Sequence, residues 1–170
     1  MICPNCGHDN LPGTEECNRC LQDLTQLDLP VAQNRVERSV MEDPVQALQP
    51  REPITIRPSA TVRDAMARMI KENLGDLLVV DEHEQLVGIL SERDLLTRVA
   101  GLDNYAARPV CVIMTRDPET VRESDTLAFA LYKMDSGSYR HLPVVRDGRA
   151  VGMISVRDML RHITGLCRCP

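Results

Sequence analysis

Four cysteines near the start of the chain have the spacing of a metal site. Cys3 and Cys6 are separated by two residues, as are Cys17 and Cys20, and ten residues lie between the two pairs. This spacing lets each pair fold into a tight turn that presents both sulfurs to one ion, and four thiolates close a tetrahedral shell with no position for a reacting water. The pattern predicts a structural zinc site. The alternative is a redox Cys-x-x-Cys motif, which needs only one pair at the start of a helix.

A second candidate site is present twice. The segment from Gly88 to Asp94 (GILSERD) is repeated from Gly152 to Asp158 (GMISVRD), with Ser and Asp at matching positions. A serine at a helix start lies beside free backbone N–H groups, where a phosphate or sugar oxygen can bind. An aspartate in the first turn can accept hydrogen bonds from ribose hydroxyls, so the pair describes a ribonucleotide site. Ser-x-x-Asp is also a helix capping box, and Thr61 with Asp64 forms another one, so the tetrapeptide alone leaves both interpretations open.

Both heptapeptides belong to an internal duplication. Identical residues recur 65 positions apart at Pro53, Thr55, Arg57, Ser59, Thr61, Ala65, Met69, Leu77, Val79 and Val80. The offset falls to 64 where residues 81–85 become residues 146–149, a shortening that a hairpin turn tolerates.

Hydrophobic periodicity predicts the order βαββα in each copy. In the first copy, strands are expected at 54–56, 77–80 and 86–90, with helices after Thr61 and from about Glu92. In the second copy, strands are expected at 120–121, 142–145 and 151–154, with helices from about Leu127 and Val156. A unit of about sixty residues leaves apolar strand surface uncovered, so the copies should pack together with pseudo-twofold symmetry. Residues 42–51 are expected to form a surface loop or a short helix.

The duplicated part resembles a tandem pair of cystathionine-β-synthase (CBS) domains, called a Bateman module, over residues 40–165. The residues that carry the resemblance include Val40-Met41, Leu77 to Asp81, Leu86 to Leu95, Ile113-Met114, Leu142 to Val145, and Gly152 to Asp158. Residues 1–24 resemble a zinc ribbon, although Leu21 stands where such ribbons often have Gly. The implied fold class is α/β (α+β), with two βαββα repeats and a small four-cysteine zinc ribbon. The expected domains are the ribbon at 1–24, a linker at 25–39, the repeats at 40–105 and 106–165, and a tail at 166–170.

Bateman modules bind adenosyl ligands, so the resemblance implies AMP, ADP, ATP or S-adenosylmethionine as the ligand. Asp94 and Asp158 would bind ribose, and Ser91 and Ser155 would bind ribose or phosphate. The short strands near Thr55 and Thr120 would contact the base through their backbone groups.

The resemblance also implies that the two sites are unequal. A basic pair before the Leu-Pro-Val strand, here Arg140-His141, would reach the phosphates of the Ser91/Asp94 site. Its counterparts in the first copy are Gly75 and Asp76, and a carboxylate repels phosphate. We therefore expect the Ser91/Asp94 site to bind phosphorylated nucleotide better than the Ser155/Asp158 site. The alternative is that Arg140-His141 is a solvated loop.

Composition limits the class of protein. A net charge of −5, with 20 basic residues scattered among 25 acidic ones, makes nucleic acid an unfavoured partner, and no apolar run is long enough to span a membrane. The chain also lacks a nucleophile–base pair and a Gly-rich phosphate loop. We expect a cytoplasmic, non-catalytic regulator of an unidentified protein, with the ribbon as a docking element and, by analogy with similar modules, a homodimer. The alternative function is a nucleic-acid-associated regulator whose ribbon contacts DNA or RNA.

Overall fold

A computed structural model describes residues 1–11, 13–25, 32–99 and 101–167. The chain divides into two compact units, Met1–Asn34 and Arg35–Pro170. Part of the predicted linker, residues 26–31, lies outside the described residues, as do residues 168–170 of the predicted tail. Helix α1 (Arg35–Glu42) begins inside the predicted linker.

The first unit consists of two tight turns. Bridges between Ile2 and Asp9 and between Glu16 and Asp23 close the two turns. The amide of Gly7 donates to the Cys3 carbonyl and that of Leu21 donates to the Cys17 carbonyl, both at 2.9 Å. The core of the unit is formed by Cys3, Cys17 and Leu24. Too few apolar side chains are buried here to make a large core, so a crosslink or metal has to contribute to stability.

The second unit contains the duplicated fold. The first repeat is formed by β1 (Thr55–Ile56), α2 (Val62–Glu72), β2 (Asp76–Val80), β3 (Leu86–Ser91) and α3 (Glu92–Arg98). After β4 (Thr115–Arg116), the second repeat is formed by α4 (Leu127–Ser136), β5 (His141–Arg146), β6 (Arg149–Ser155) and α5 (Val156–Cys167). Short 3₁₀ helices lie at Val45–Leu48, Tyr105–Ala107 and Val110–Val112. The predicted fold class and the βαββα order are confirmed.

Corresponding strands pair in the same way in both repeats. β2 and β3 form an antiparallel hairpin, as do β5 and β6, and each hairpin has a register shift at the same point, Val79/Val80 and Val144/Val145. β1 pairs in parallel with β2. The expected strand at residues 120–121 is reduced to a single parallel bridge between Val121 and Val144. The framework therefore has the expected pseudo-twofold symmetry, with its second sheet less regular than its first.

Two segments exchange between the repeats, and we call them crossovers. The first crossover, residues 39–51, precedes the first repeat but pairs with the second, because Arg51 and Met153 exchange backbone hydrogen bonds of 3.1 and 3.0 Å. The second crossover, residues 110–116, precedes the second repeat but supplies β4, which pairs with β3. The two repeats are therefore interleaved, and neither is complete without a segment from before the other.

The two hydrophobic cores are interleaved in the same way. Val110, Ile113 and Met114 of the second crossover are buried in the core of the first repeat. Val45 of the first crossover is fully buried in the core of the second repeat. Of the two alternatives expected for residues 42–51, the short helix is present as the 3₁₀ turn Val45–Leu48, but its Val45 lies in the core and not at the surface. No helix within the described residues is long and apolar enough to cross a membrane.

Candidate functional site

A cavity of about 410 Å³ lies where the two repeats meet, and it brings together four of the predicted site residues. Ser91 and Asp94 reach it from the junction of β3 and α3, and Arg140 and His141 reach it from the start of β5. Its volume is within the range of small-molecule sites in proteins. The cavity is also lined by β4 and the residues after it, including Thr115 and Glu119.

Asp94 is a buried carboxylate of this cavity, of which only 7% is exposed. Its Oδ2 accepts hydrogen bonds from the Ser91 backbone N–H at 2.9 Å and the Ser91 hydroxyl at 2.5 Å, which forms the capping box that the sequence left as an alternative. Its Oδ1 accepts from the Thr115 hydroxyl at 3.2 Å and lies 3.3 Å from Nε of Arg98. Thr115 and Arg98 were not predicted; the only sequence signal for Arg98 is its position four residues after Asp94.

Arg140 is a basic group of this cavity that is available to an anion, as is Arg93. Across residues 1–11, 13–25, 32–99 and 101–167 the Arg140 guanidinium forms no hydrogen bond or ion pair. A guanidinium with five free N–H donors suits a phosphate group.

Asp76 lies in the same cavity, which differs from the expectation that it would belong with the Ser155/Asp158 site. β2 and β5 begin side by side, so His141 Nδ1 is 3.4 Å from Oδ2 of Asp76. Arg51 binds the other oxygen, Oδ1. Asp76 is 3% exposed, and its Oδ2 has no hydrogen-bond donor among the described residues. The cavity thus contains a buried carboxylate as well as the basic pair, and His141 faces that carboxylate.

The other four predicted nucleotide residues lie elsewhere. Thr120 lines a second concavity, of about 850 Å³, together with Lys133 and Arg146. Thr55, Ser155 and Asp158 line neither of these two spaces. Ser155 and Asp158 form a capping box like that of the first repeat, in which the Ser155 backbone N–H donates to Asp158 at 2.9 Å.

The four cysteines of the first unit form a compact cluster. Their sulfurs all lie within 4.8 Å of one another, and the Sγ–Sγ distances are 3.6 Å for Cys3–Cys20 and 3.6 Å for Cys6–Cys17. Four Zn–S bonds of about 2.3 Å in a tetrahedron would separate the sulfurs by about 3.8 Å. The donor set therefore fits a tetrahedral metal ion. The left-handed φ of +58° at Leu21 shows why ribbons often have Gly there.

Polar groups around the cluster favour the thiolate form of Cys17 and Cys20. At Cys6 a hydrogen bond from the His8 backbone lowers the pKa, but burial and the neighbouring cysteines outweigh it and raise the pKa to about 12. Burial raises the pKa of Cys17, but hydrogen bonds from the backbone amides of Arg19 and Cys20 and from the Asn10 side chain lower it to about 6 overall. The backbone amide of Gln22 lowers the pKa of Cys20. Asn10 is 5% exposed and lies 3.6 Å from the Cys17 sulfur. It was not predicted, since a lone Asn between two cysteine pairs carries no local signal. The thiolate is the form in which cysteine binds metal.

Comparison with known proteins agrees with this architecture. The family model described as "CBS domain" matches residues 39–101 and 110–165, so the chain belongs to the CBS-domain family. A relative from Acidianus ambivalens, an uncharacterized 17.7 kDa protein, is 34% identical over 109 residues, which are 64% of this chain and 65% of that protein. The chain thus spans slightly less than two thirds of the length of that relative.

Two similar solved structures contain adenosyl compounds. The CBS domain pair of protein MJ0100, in complex with 5′-methylthioadenosine and S-adenosyl-L-methionine, is 31% identical with a TM-score of 0.65, and the match covers 72% of this chain and 96% of that one. CBSX2 in complex with AMP is 27% identical with a TM-score of 0.66, and the match covers 74% and 99%.

Proposed function

We propose that the protein is a non-catalytic regulatory module that senses an adenosyl ligand in the cavity between its two CBS repeats. The observation that carries the proposal is the meeting of Ser91, Asp94 and Arg140 in one cavity of suitable volume. Asp94 would bind the ribose hydroxyls, and the unpaired Arg140 would bind a phosphate. The adenosyl compounds in the similar structures support the ligand class: AMP, ADP, ATP or S-adenosylmethionine.

The cavity also supports a preference between the two sites. Charge-assisted hydrogen bonds from Arg140 to a phosphate would contribute about 1.5–3 kcal/mol each. The Ser91/Asp94 site would therefore bind phosphorylated ligands more tightly than the Ser155/Asp158 site. The buried Asp76 would limit this preference, because its carboxylate lies in the same cavity, where Arg51 and His141 contact it.

Calorimetry with the four adenosyl compounds tests the ligand class. We expect at least one of them to bind, and the tightest binding to be lost in Asp94→Ala and retained in the matched variant Asp158→Ala. Arg140→Ala should weaken AMP more than adenosine, which lacks the phosphate. Absence of binding by all four compounds would refute the proposal, and equal losses for AMP and adenosine would remove the role of Arg140.

For the first unit we propose a structural zinc ribbon held by Cys3, Cys6, Cys17 and Cys20. The sulfur geometry supports this assignment, as does the lowered pKa of Cys17. Native mass spectrometry should find one zinc ion per chain, which is lost when Cys17 and Cys20 are replaced by Ser. A native protein that contains no metal would contradict the assignment.

We assign the ribbon a protein-docking role, with the regulated protein unidentified. Ile2, Leu11 and Leu21 are each at least 70% exposed, so the ribbon presents apolar side chains to solvent. Acidic residues outnumber Arg19 in this unit, which disfavours contact with phosphates.

We also propose that the module is a homodimer in the cytoplasm. Leu96 of α3 and Leu160 of α5 occupy equivalent positions and are 79% and 58% exposed, so both helices leave an apolar residue uncovered. Sedimentation should show a dimer that dissociates in Leu96→Asp; a monomeric wild type would contradict this. The reduced cysteines suit a compartment that keeps thiols free.

A further inference from the structure

Arg98 connects the proposed ribose-binding carboxylate to the second crossover. Its Nη1 donates to the carbonyls of Ile113 at 3.0 Å and Met114 at 2.7 Å, and its Nη2 donates to the Thr115 hydroxyl at 3.1 Å. The same guanidinium lies 3.3 Å, through Nε, from Oδ1 of Asp94. One side chain of α3 therefore holds both the carboxylate and the backbone that leads into the second repeat.

Asp94 has at most one free acceptor position for a ligand. A carboxylate has about four lone-pair positions. The Ser91 backbone N–H and hydroxyl donate to Oδ2 and the Thr115 hydroxyl donates to Oδ1, while Nε of Arg98 forms an ion pair with Oδ1 at 3.3 Å. The two hydroxyls of a ribose can therefore both bind Asp94 only if one of these contacts is displaced. The contacts at Oδ1 are the longest, at 3.2 and 3.3 Å, and so they yield first.

The second repeat holds its crossover without using its aspartate. His162 occupies the position equivalent to Arg98, four residues after Asp158, and its Nε2 lies 2.8 Å from the Ser39 hydroxyl and 3.5 Å from Oδ2 of Asp43. Asp158 instead accepts a hydrogen bond from Arg161 at 3.0 Å. A ligand on Asp158 would therefore not compete with the contact that holds the first crossover.

We propose that Arg98 is a positioning residue that couples occupancy of the cavity to the second crossover, and that this coupling exists in the first repeat alone. The proposal rests on the function proposed above. A ribose hydroxyl takes the Oδ1 contact of Asp94, Arg98 loses its anionic partner, and its hold on the Ile113 and Met114 carbonyls weakens. Ligand binding is thereby transmitted to Ile113 and Met114, which do not line the cavity.

Amide hydrogen exchange at Ile113 and Met114, measured by NMR, tests the coupling. Both amides donate to the Val110 carbonyl, at 3.0 and 2.9 Å, so they report on the 3₁₀ turn of the second crossover. In the wild type, saturating AMP should accelerate their exchange by about fivefold or more, the lower end of common coupling between sites. 2′,3′-Dideoxy-AMP lacks the competing hydroxyls, so it should bind more weakly and, at saturation, should not produce this effect.

The Arg98→Met variant tests whether Arg98 transmits ligand binding to the second crossover or only supports that segment. In this variant the two amides should exchange rapidly without ligand and show no further response to AMP. The matched variant His162→Met should keep the full response. If Arg98→Met does not fold, Arg98→Lys retains the charge but cannot bridge carboxylate and carbonyls, and it should lose most of the response.

The outcomes distinguish this inference from the proposed function. An AMP response that persists in the Arg98 variants, or an equal response to the dideoxy nucleotide, would overturn the coupling. Binding that depends on Asp94 but leaves the exchange of Ile113 and Met114 unchanged would also overturn it, while leaving the ligand assignment intact. If S-adenosylmethionine alone binds, it replaces AMP in the same measurements. Absence of any adenosyl binding would refute the proposed function itself.

Discussion

The two repeats share an apolar framework and differ in their polar contacts. In each repeat a hairpin with the same register shift packs against a helix, and each core is completed by a crossover that precedes the other repeat. The side chain that holds the crossover is a permanently charged arginine in the first repeat and a histidine in the second. The parts that form the fold are thus alike in the two repeats, whereas the polar contacts around the proposed binding site differ.

The difference matters because, of these two side chains, only Arg98 contacts a residue of the cavity. Arg98 touches Asp94, and both line the cavity with Arg140. His162 touches residues of the first crossover and lies four positions from Asp158 without pairing with it. Equivalent positions in a duplicated fold can therefore have the same structural task and different functional consequences.

The largest expected effect tests whether the two cores are equivalent. Leu77 and Leu142 occupy matching positions of β2 and β5 and are at most 1% exposed. Replacing either by Ala should lower the free energy of unfolding by about 2–5 kcal/mol, because each leaves a cavity in a well-packed core. Urea denaturation followed by circular dichroism should show the second unit unfolding in one transition in both variants, since the cores are interleaved. Two separate transitions, with one unaffected by the mutation, would show that the repeats are independent.

A smaller effect on stability should distinguish the two places where a crossover packs against a glycine of a strand. A Cβ on Gly152 would lie 2.6 Å from Cβ of Pro50, whereas a Cβ on Gly88 would lie 2.7 Å from the Met114 sulfur and 3.0 Å from the Thr115 carbonyl. The proline ring cannot rotate away and the methionine side chain can. Gly152→Ala should therefore destabilise by about 1–3 kcal/mol and Gly88→Ala by less. Equal losses in thermal unfolding, or a larger loss for Gly88→Ala, would contradict this difference.

The sequence predicted the framework because its signals are local and duplicated. Ten identities at one offset defined the repeats, and apolar periodicity defined helices such as α2. The exchange of crossovers was missed, since pairing of Arg51 with Met153 joins residues about a hundred positions apart and leaves no local pattern. The burial of Val45 was missed for the same reason.

The candidate site was predicted in part. The motif residues Ser91 and Asp94 and the basic pair at Arg140 lie in one cavity, as the resemblance implied. The placement of Asp76 beside them could not be predicted, because it depends on β2 and β5 starting side by side. Thr115, the partner of Asp94 on the second crossover, was missed because this contact depends on the exchange of segments between the repeats.

The smallest expected effect concerns the helix starts, where the repeats again differ. Thr61 and Asp64 form a capping box at the start of α2. At α4, Thr126 is the N-cap, and Phe129 stands at the position that Asp64 has in α2, so the acidic half of the box is missing. Hydrogen bonds from the Thr61 hydroxyl and backbone N–H lower the pKa of Asp64. The folded state thus binds the proton less readily than the unfolded chain. The stabilisation is present above the ordinary aspartate pKa of about 3.9 and is lost as the pH falls through the lowered value.

Asp64→Ala should therefore lower the urea midpoint slightly at pH 7, and the difference from the wild type should shrink as the pH approaches about 3, below the ordinary aspartate pKa. Asp135→Ala provides the control, because Asp135 is an exposed acid of α4 far from its start. Its effect should vary less with pH. A pH-independent loss in Asp64→Ala would mean that the hydrogen bonds of the capping box do not favour the charged carboxylate. The contrast between the two helix starts would then come only from helix propensity and the uncharged part of the cap.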